Sequence, residues 1–222
     1  MTDKPLWADT ADGRRASRLS GHRAARREQI IKAAALAIET HGSDAGTAQI
    51  AELAGVARPH VYRHFSSKEE LETEVARYAA GELKDRVRPT LRKTGPALEI
   101  IRGPVSESVD WAAENPNLYR FITQRTETRD LRRTRLGRTH FLSEIVDAAN
   151  EYMQASDIPA DPPDGILAGL MGMVDASIIW WLDHQDEPRE QMVDRLTRQI
   201  HLILVTTLTD LGLEVPDELR LP

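Results

Sequence analysis

Apolar residues recur at three- and four-residue intervals along most of the chain, which is the spacing of one face of an α-helix. The stripe of Ile30, Ala34, Ala37 and Ile38 is the first of these, and Gly42 follows its last turn. No segment shows a convincing alternation of the kind that indicates a strand, so an all-α fold is predicted. About nine helices are expected, at 23–41, 47–54, 58–64, 68–87, 96–113, a short one from 116, 131–155, 164–184 and 188–211.

Capping residues, prolines and glycines mark the boundaries of these helices. Two serines followed by two glutamates, within residues 66–70, form a capping-box pattern and predict a long helix from Lys68. Pro89 is expected to end that helix near residue 87, and Gly103-Pro104 to bend the next one. Residues 1–22 have no apolar period and are expected to form a flexible arm.

The segment from Ile50 to Leu71 has the pattern of a helix-turn-helix. Such a motif needs a small residue where two helices cross, a glycine in the turn, and buried aliphatic side chains that fix the crossing angle. Ala51, Gly55, Val56 and Val61 meet those needs in order. The second helix then presents polar groups able to reach bases and phosphates, from Arg58, His60, Tyr62, Arg63 and His64.

Residues 27–71 resemble the DNA-binding domain of the TetR family of transcriptional repressors. The resemblance is carried by Ile-Ala-x-x-Ala-Gly-Val-x-x-x-x-Val-Tyr-x-His-Phe-x-x-Lys-x-x-Leu at residues 50–71. It implies a three-helix DNA-binding domain whose last helix enters the major groove, and a helical body that binds ligand and forms a homodimer. The chain then divides into a flexible basic arm (1–22), a helix-turn-helix domain (23–67), a ligand-binding and dimerisation domain (68–211) and a C-terminal tail (212–222).

The resemblance also implies which side chains contact double-stranded DNA. Arginine can pair with the guanine edge, and the start of a helix favours a phosphate. The candidates for base contacts are Arg58, His60 and Arg63. The candidates for phosphate contacts are Tyr62, His64 and Lys68, and Thr47 is a candidate for either a phosphate or a base contact. Arg23 is a further DNA-binding candidate.

Two positions depart from the family pattern. Ala57 stands where a capping serine or threonine is usual, and alanine caps a helix poorly, at a typical cost of about 1 kcal/mol. Gly46 replaces a threonine that usually caps the preceding helix and touches phosphate. Both departures are compatible with the fold, because glycine is a tolerable cap and packing dominates helix stability.

Charge is unevenly distributed, although the net charge at pH 7 is −6. Residues 13–35 hold seven basic side chains and one acidic one, whereas residues 72–222 hold 18 basic and 26 acidic ones. This asymmetry is typical of a basic end for phosphates and an acidic, self-associating body, and a merely solvated arm is the alternative. The absence of cysteine excludes disulfides, iron–sulfur clusters and cysteine nucleophiles.

The most apolar stretch, residues 165–182, contains a single charge, at Asp175. A membrane span of that length is at the short limit, and an aspartate near its centre is costly, so a buried helix and no membrane contact are predicted. The first 20 residues also lack the apolar run of a secretory signal, so a cytoplasmic protein is expected. The following helix carries an apolar stripe predicted to form the homodimer interface, consisting of Val193, Leu196, Ile200, Ile203 and Leu211.

Aromatic and methionine residues of the body suggest a pocket for a small, largely hydrophobic effector. Ordinary core packing is the competing interpretation for each of them. Asp175 is the candidate polar anchor, or else it makes an interface hydrogen bond. The pocket candidates are Trp111, Phe121, Phe141, Met171, Asp175 and Trp180.

A helical enzyme and a helical adaptor without DNA binding are the alternative classes of function. No glycine-rich phosphate loop or nucleophile elbow supports the enzyme. His60 and His64 lie four residues apart, as two metal ligands can, but Val61 stands where a metalloprotease helix needs glutamate. We therefore expect no cofactor, no metal and a ligand-responsive repressor that binds a pseudo-palindromic operator.

Overall fold

The computed structural model describes residues 6–127, 131–156, 158 and 164–213, with side chains described except for 6–20 and 125–140. Within those ranges every regular element is an α-helix, and there are nine of them, as the apolar spacing predicts. They are α1 (Leu6–His41), α2 (Thr47–Leu53), α3 (Arg58–His64), α4 (Lys68–Leu91), α5 (Ala97–Glu114), α6 (Pro116–Glu127), α7 (Leu131–Ala155), α8 (Asp164–His184) and α9 (Arg189–Asp210). The chain forms two compact units, Met1–Tyr78 and Ala79–Pro222.

The first helix is longer than its sequence pattern predicts. It begins at Leu6 rather than near residue 23, so the stretch expected to be a flexible arm is helical from residue 6. A helix that has already nucleated gains one hydrogen bond for each residue added, and the alanines and arginines of this stretch favour helix. Apolar periodicity could not reveal the extension, because it reports burial and not helix formation itself.

Pro89 does not end α4 at the predicted position. Helix α4 continues past Pro89 to Leu91, since proline in a last turn removes only one backbone hydrogen bond near an end that frays anyway. Helix α5 runs through Pro104, as its predicted span of 96–113 requires. Beside it, Gly103 lies against α4 so closely that an added Cβ would meet the Cβ of Thr90 at 3.0 Å.

The core of the first unit is built from the predicted apolar faces. In α1, Ile30, Ala34, Ala37 and Ile38 are all at most 3% exposed. Helix α1 packs against α2, and α2 against α3. The remaining buried side chains of this unit include Ile50, Ala51, Val61, Phe65, Leu71 and Val75.

Helix α5 is the centre of the second unit, where it packs against α6, α8 and α9. On α9, Val193, Leu196 and Ile200 are buried within the chain itself, with at most 8% exposure. The prediction that these three residues form the homodimer interface is therefore wrong, because a side chain that is already buried has little surface left for a partner. Ile203 and Leu211, the other members of that stripe, are exposed.

Helix α8 is the one helix of the described ranges that is long and apolar enough to cross a membrane by length and composition. This alone is weak grounds for a membrane span, since core helices of soluble proteins have the same character. Only 22% of its most apolar window is buried within the chain. Its other apolar residues are mostly partly buried, and its exposed positions include small residues and the large side chain of Trp180.

Candidate nucleic-acid interface

The turn between α2 and α3 is held by backbone hydrogen bonds and one glycine. The amides of Gly55 and Val56 donate to the carbonyls of Glu52 (3.0 Å) and Ala51 (3.0 Å). Gly55 has φ +62°, in the left-handed region where a side chain adds strain, which explains the predicted need for glycine at this turn.

Helix α3 turns its aliphatic side inward and its polar side outward. Val61 is 1% exposed, and Phe65, directly after the helix, is 2% exposed. Arg58, His60 and Arg63 are all exposed, as expected for side chains that reach a duplex. An outward row of basic groups on a short helix fixed from behind is the geometry that recognition of a groove requires.

The ends of α2 and α3 show what the two departures from the family pattern cost. Ala57 precedes α3 and makes no side-chain capping hydrogen bond, while Pro59 occupies the first turn, where its missing N–H costs nothing. Gly46 precedes α2, and its amide donates to Oε1 of Gln49 at 2.7 Å. This glutamine bond is half of a capping box, so α2 is partly capped without the usual threonine.

Thr47 joins the two helices of the motif. It is 8% exposed, and its Oγ1 lies 3.2 Å from the hydroxyl of Tyr62. Hydrogen bonding with Thr47 and then with Arg58 lowers the pKa of Tyr62. Burial favours a positioning role for Thr47, which orients Tyr62, over the predicted direct contact to phosphate.

The predicted capping box at the start of α4 is present. The amide of Glu70 donates to Oγ of Ser67 (3.1 Å), and Oε2 of Glu70 accepts from the amide and hydroxyl of Ser66, both at 2.7 Å. The two bonds from Ser66, followed by the bond from Arg27, lower the pKa of Glu70 to about 2. Lys68 is exposed in the first turn and pairs with Glu72, Nζ to Oε1 at 3.3 Å.

Arg27 has an organising role that no motif in the sequence predicts. Its Nη2 donates to Oε1 of Glu70 at 2.9 Å, and its guanidinium lies 4.6 Å from the centroid of the Phe65 ring. It therefore ties α1 to the start of α4 and to the end of α3. Arg27 and Glu70 are 43 residues apart in the sequence. Residue spacing does not reveal a pair that only the folded chain brings together.

His64 is the last residue of α3, and basic side chains surround it. Its side chain is partly exposed, but Nδ1 is buried and has no hydrogen-bond partner among the described residues. Burial is the largest cause that lowers its pKa below the usual value, followed by the charges of Arg23, Arg63, Arg26 and His60. Arg23 is exposed on α1, so this predicted DNA-binding residue adds to the same positive region.

Residues 30–75 match the family model of bacterial regulatory proteins of the tetR family. The match covers the end of α1, the helix-turn-helix and the start of α4. The amino-terminal domain is that of the TetR family.

Solved structures extend the likeness of fold to most of the chain. A tetR-family transcriptional regulator from Streptomyces coelicolor has a TM-score of 0.68 at 19% identity, over 83% of this chain and 82% of that one. The regulator FadR from Bacillus subtilis, in complex with stearoyl-CoA, has a TM-score of 0.63 at 22% identity, over 81% and 97%. The TetR-family regulator PfmR from Thermus thermophilus has a TM-score of 0.59 at 18% identity, over 77% and 96%. The chain therefore has the fold of TetR-family transcriptional regulators.

In the second unit of this TetR-fold chain, the predicted effector residues fall into three groups by exposure. Trp111 and Phe121 are buried, and Phe141, Met171 and Asp175 are partly buried. Trp180 is 57% exposed, so its assignment to an internal pocket is wrong: it lies on the outer side of α8.

Asp175 is tied to α6 across the helices of this unit. The hydroxyl of Tyr119, itself 1% exposed, donates to Oδ1 of Asp175 at 2.9 Å. The Tyr119 ring also lies 6.2 Å from that of Trp111, measured between centroids. A carboxylate that accepts from a buried tyrosine hydroxyl, with a second aromatic ring beside that tyrosine, can orient a polar group of a bound molecule.

A second polar group faces α7 from α4. Lys84 is partly buried, and its Nζ lies 5.7 Å from the centroid of the Phe141 ring. Burial lowers its pKa, and the nearby Glu144 opposes that effect. Arg88 donates twice to Glu144, at 2.7 and 2.9 Å, so α4 and α7 are joined by a bidentate ion pair beside the ring.

Proposed function

We propose that this TetR-family protein is a ligand-responsive transcriptional repressor that binds a pseudo-palindromic operator as a homodimer in the cytoplasm. The observation that carries the proposal is the orientation of α3, which buries Val61 and exposes Arg58, His60 and Arg63. An enzyme or an adaptor gives no reason for an exposed basic row within a matched DNA-binding domain.

We assign base reading to Arg58, His60 and Arg63 on α3. Tyr62, His64 and Lys68 are assigned to phosphates, since phosphate contacts fix the register of a helix in the groove. Thr47 supports this set by orienting Tyr62. Arg23 on α1 adds a further positive charge near His64.

The homodimer interface is proposed on the outer surfaces of α8 and α9. The outer side of α8 includes Gly165, Ala168, Gly169 and Ala176, whose small side chains let another helix approach closely. Helix α9 adds the exposed apolar side chains Leu202 and Ile203. Helices with uncovered apolar faces stabilise a protein by packing together, and a second copy offers a matching pair of helices.

The effector is proposed to be small and largely apolar, bound in the second unit near Asp175 and Tyr119. The burial of Trp111 and Phe121 supplies the apolar surroundings of such a site. The relative from Bacillus subtilis in complex with stearoyl-CoA makes long-chain acyl compounds the first class to test. An effector releases the operator only if it binds the DNA-incompetent state more tightly.

Selection of binding sites from random duplex DNA tests the proposal. A regulator of this kind selects an inverted repeat whose half-sites lie about one helical turn apart. The selected duplex should then bind with an affinity that falls steeply as salt is raised. Recovery of unrelated sequences, or of no duplex at all, would contradict both the operator and the assignment of α3.

A further inference from the structure

We propose that binding of the operator is coupled to the uptake of a proton by His64. This inference rests on the proposed function, because it concerns the regulation of the same DNA-binding site. Operator affinity should therefore rise as the pH falls through the slightly acidic range.

The first support is the hydrogen bonding of the His64 ring. A protonated imidazole has two N–H donors, whereas a neutral ring has one donor and one acceptor. Because Nδ1 is buried with no partner in the described part of the chain, a proton there leaves a buried donor unsatisfied. The free protein thus favours the neutral ring.

The second support is the charge around the ring. The groups that act on it are Arg23 and Arg26 from α1, and His60 and Arg63 from its own helix α3. All four are basic, so they add to the effect of burial in holding the pKa of His64 below its usual value. A positive charge on the ring is therefore disfavoured for two independent reasons.

Duplex DNA removes the repulsion between the charged ring and the surrounding basic groups. Its phosphates neutralise the arginines that repel the charged ring, and a phosphate oxygen near His64 favours the imidazolium directly. The pKa of His64 must then be higher in the complex than in the free protein. Groups whose pKa is raised on binding make binding stronger as pH falls, by linkage.

The sign and size of the effect follow from that linkage. Above the pKa of the DNA-bound state the ring is neutral in both states, and affinity does not depend on its protonation. Between the two pKa values affinity increases by at most about tenfold for each unit of pH, the limit for one linked proton. Below the pKa of the free state, which lies under the usual value for histidine, the dependence disappears again.

The test is operator affinity at fixed salt between pH 5.5 and 8, for the full-length protein and two variants. His64→Gln removes the titration but keeps an amide donor for phosphate, and it should flatten the rise in affinity toward acid. His41→Gln is the matched control, because His41 is an exposed histidine at the far end of α1. This control should keep the pH dependence of the parent protein.

The pKa of the His64 ring, measured by NMR in the free and DNA-bound parent protein, tests the inference without any variant. A higher value in the complex supports it, and equal values would overturn it, as would a rise in affinity that His64→Gln leaves intact. These outcomes all presuppose sequence-preferring binding. Its complete absence at every pH would instead contradict the proposed function.

Discussion

At the scale of single residues, the exposed cations of the first unit have different expected roles. Arg63 lies on the outward side of α3, whereas Lys68 lies in the first turn of α4. A base contact carries sequence information and a phosphate contact does not. The two residues can therefore be distinguished by how specificity and salt dependence respond to their removal.

Arg63→Ala should lower affinity for the selected operator by about 1–3 kcal/mol and relax the preference at one base position. Lys68→Ala should weaken all sequences about equally and reduce the salt slope by about one. Titrations of the operator and of single-base variants at several salt concentrations measure both effects. Lys93→Ala, an exposed cation between α4 and α5, is the control and should change neither. Unchanged operator binding in both site variants would remove α3 and α4 from the interface.

Asp175 can be tested in the same way at the effector site. Asparagine keeps an oxygen that can accept from Tyr119, so Asp175→Asn should change stability by less than about 1 kcal/mol. It should nevertheless alter the concentration of an acyl compound that releases DNA, because the charge that orients the bound molecule is lost. A parallel Tyr119→Phe variant removes the hydrogen bond and keeps the charge. If Asp175→Asn responds as the parent does, the carboxylate has only a structural role.

At the scale of elements, the start of α4 depends on Glu70. Its folded-state pKa, lowered to about 2, is below the ordinary value of 4.5, so its ionised form stabilises the fold. That contribution is present in full above the unfolded-state pKa and is lost as the pH falls from there toward about 2.

Glu70→Gln should therefore unfold at a lower urea concentration than the parent at pH 7, and the difference should shrink toward pH 2.5. Helical circular dichroism of the full chain during urea titration measures the midpoints. Glu69→Gln is the matched control, since Glu69 is an exposed carboxylate in the same turn. Equal shifts for the two variants would mean that net charge, and not the capping box, causes the effect.

Sequence patterns were most informative at this scale. The capping box at residues 66–70 could be predicted because it depends on contacts within a few residues. The inward face of α3 could be predicted because Val61 occupies the position of the motif that requires a buried aliphatic side chain. The start of α1 at Leu6 could not, since it extends beyond any apolar stripe. The bonds of Arg27 to Glu70 and of Thr47 to Tyr62 also escaped prediction, because they join helices through tertiary packing.

At the scale of the whole molecule, periodicity identifies an apolar face but not the neighbour that covers it. The spacing of Val193, Leu196 and Ile200 predicts contact with a second copy, yet these side chains are buried within the chain. An apolar stripe has the same spacing whether it packs within its own chain or against a second copy. Exposed Leu202 and Ile203 continue the apolar surface on the outer side of α9.

Ile203→Asp should convert the proposed dimer into monomers and reduce operator affinity by at least about tenfold, because one half-site then binds alone. Helical content should be unchanged, as the side chain is exposed. Analytical ultracentrifugation and operator titration measure the two effects. Val193→Asp is the contrasting variant, and it should unfold the chain because it buries an unpaired charge. A stable Ile203→Asp dimer would exclude this surface as the interface.

The exposed ring of Trp180 has a practical consequence. It stacks on His184 with 3.7 Å between ring centroids, and its indole N–H donates to Asp186 at 2.9 Å. Indole emission shifts to shorter wavelength when water is excluded, and a protonated imidazole quenches it by contact. Trp180 is thus an intrinsic fluorophore on the outer side of α8, beside the proposed dimer interface. Difference spectra between the parent protein and the Trp180→Phe variant can therefore follow assembly without an attached dye.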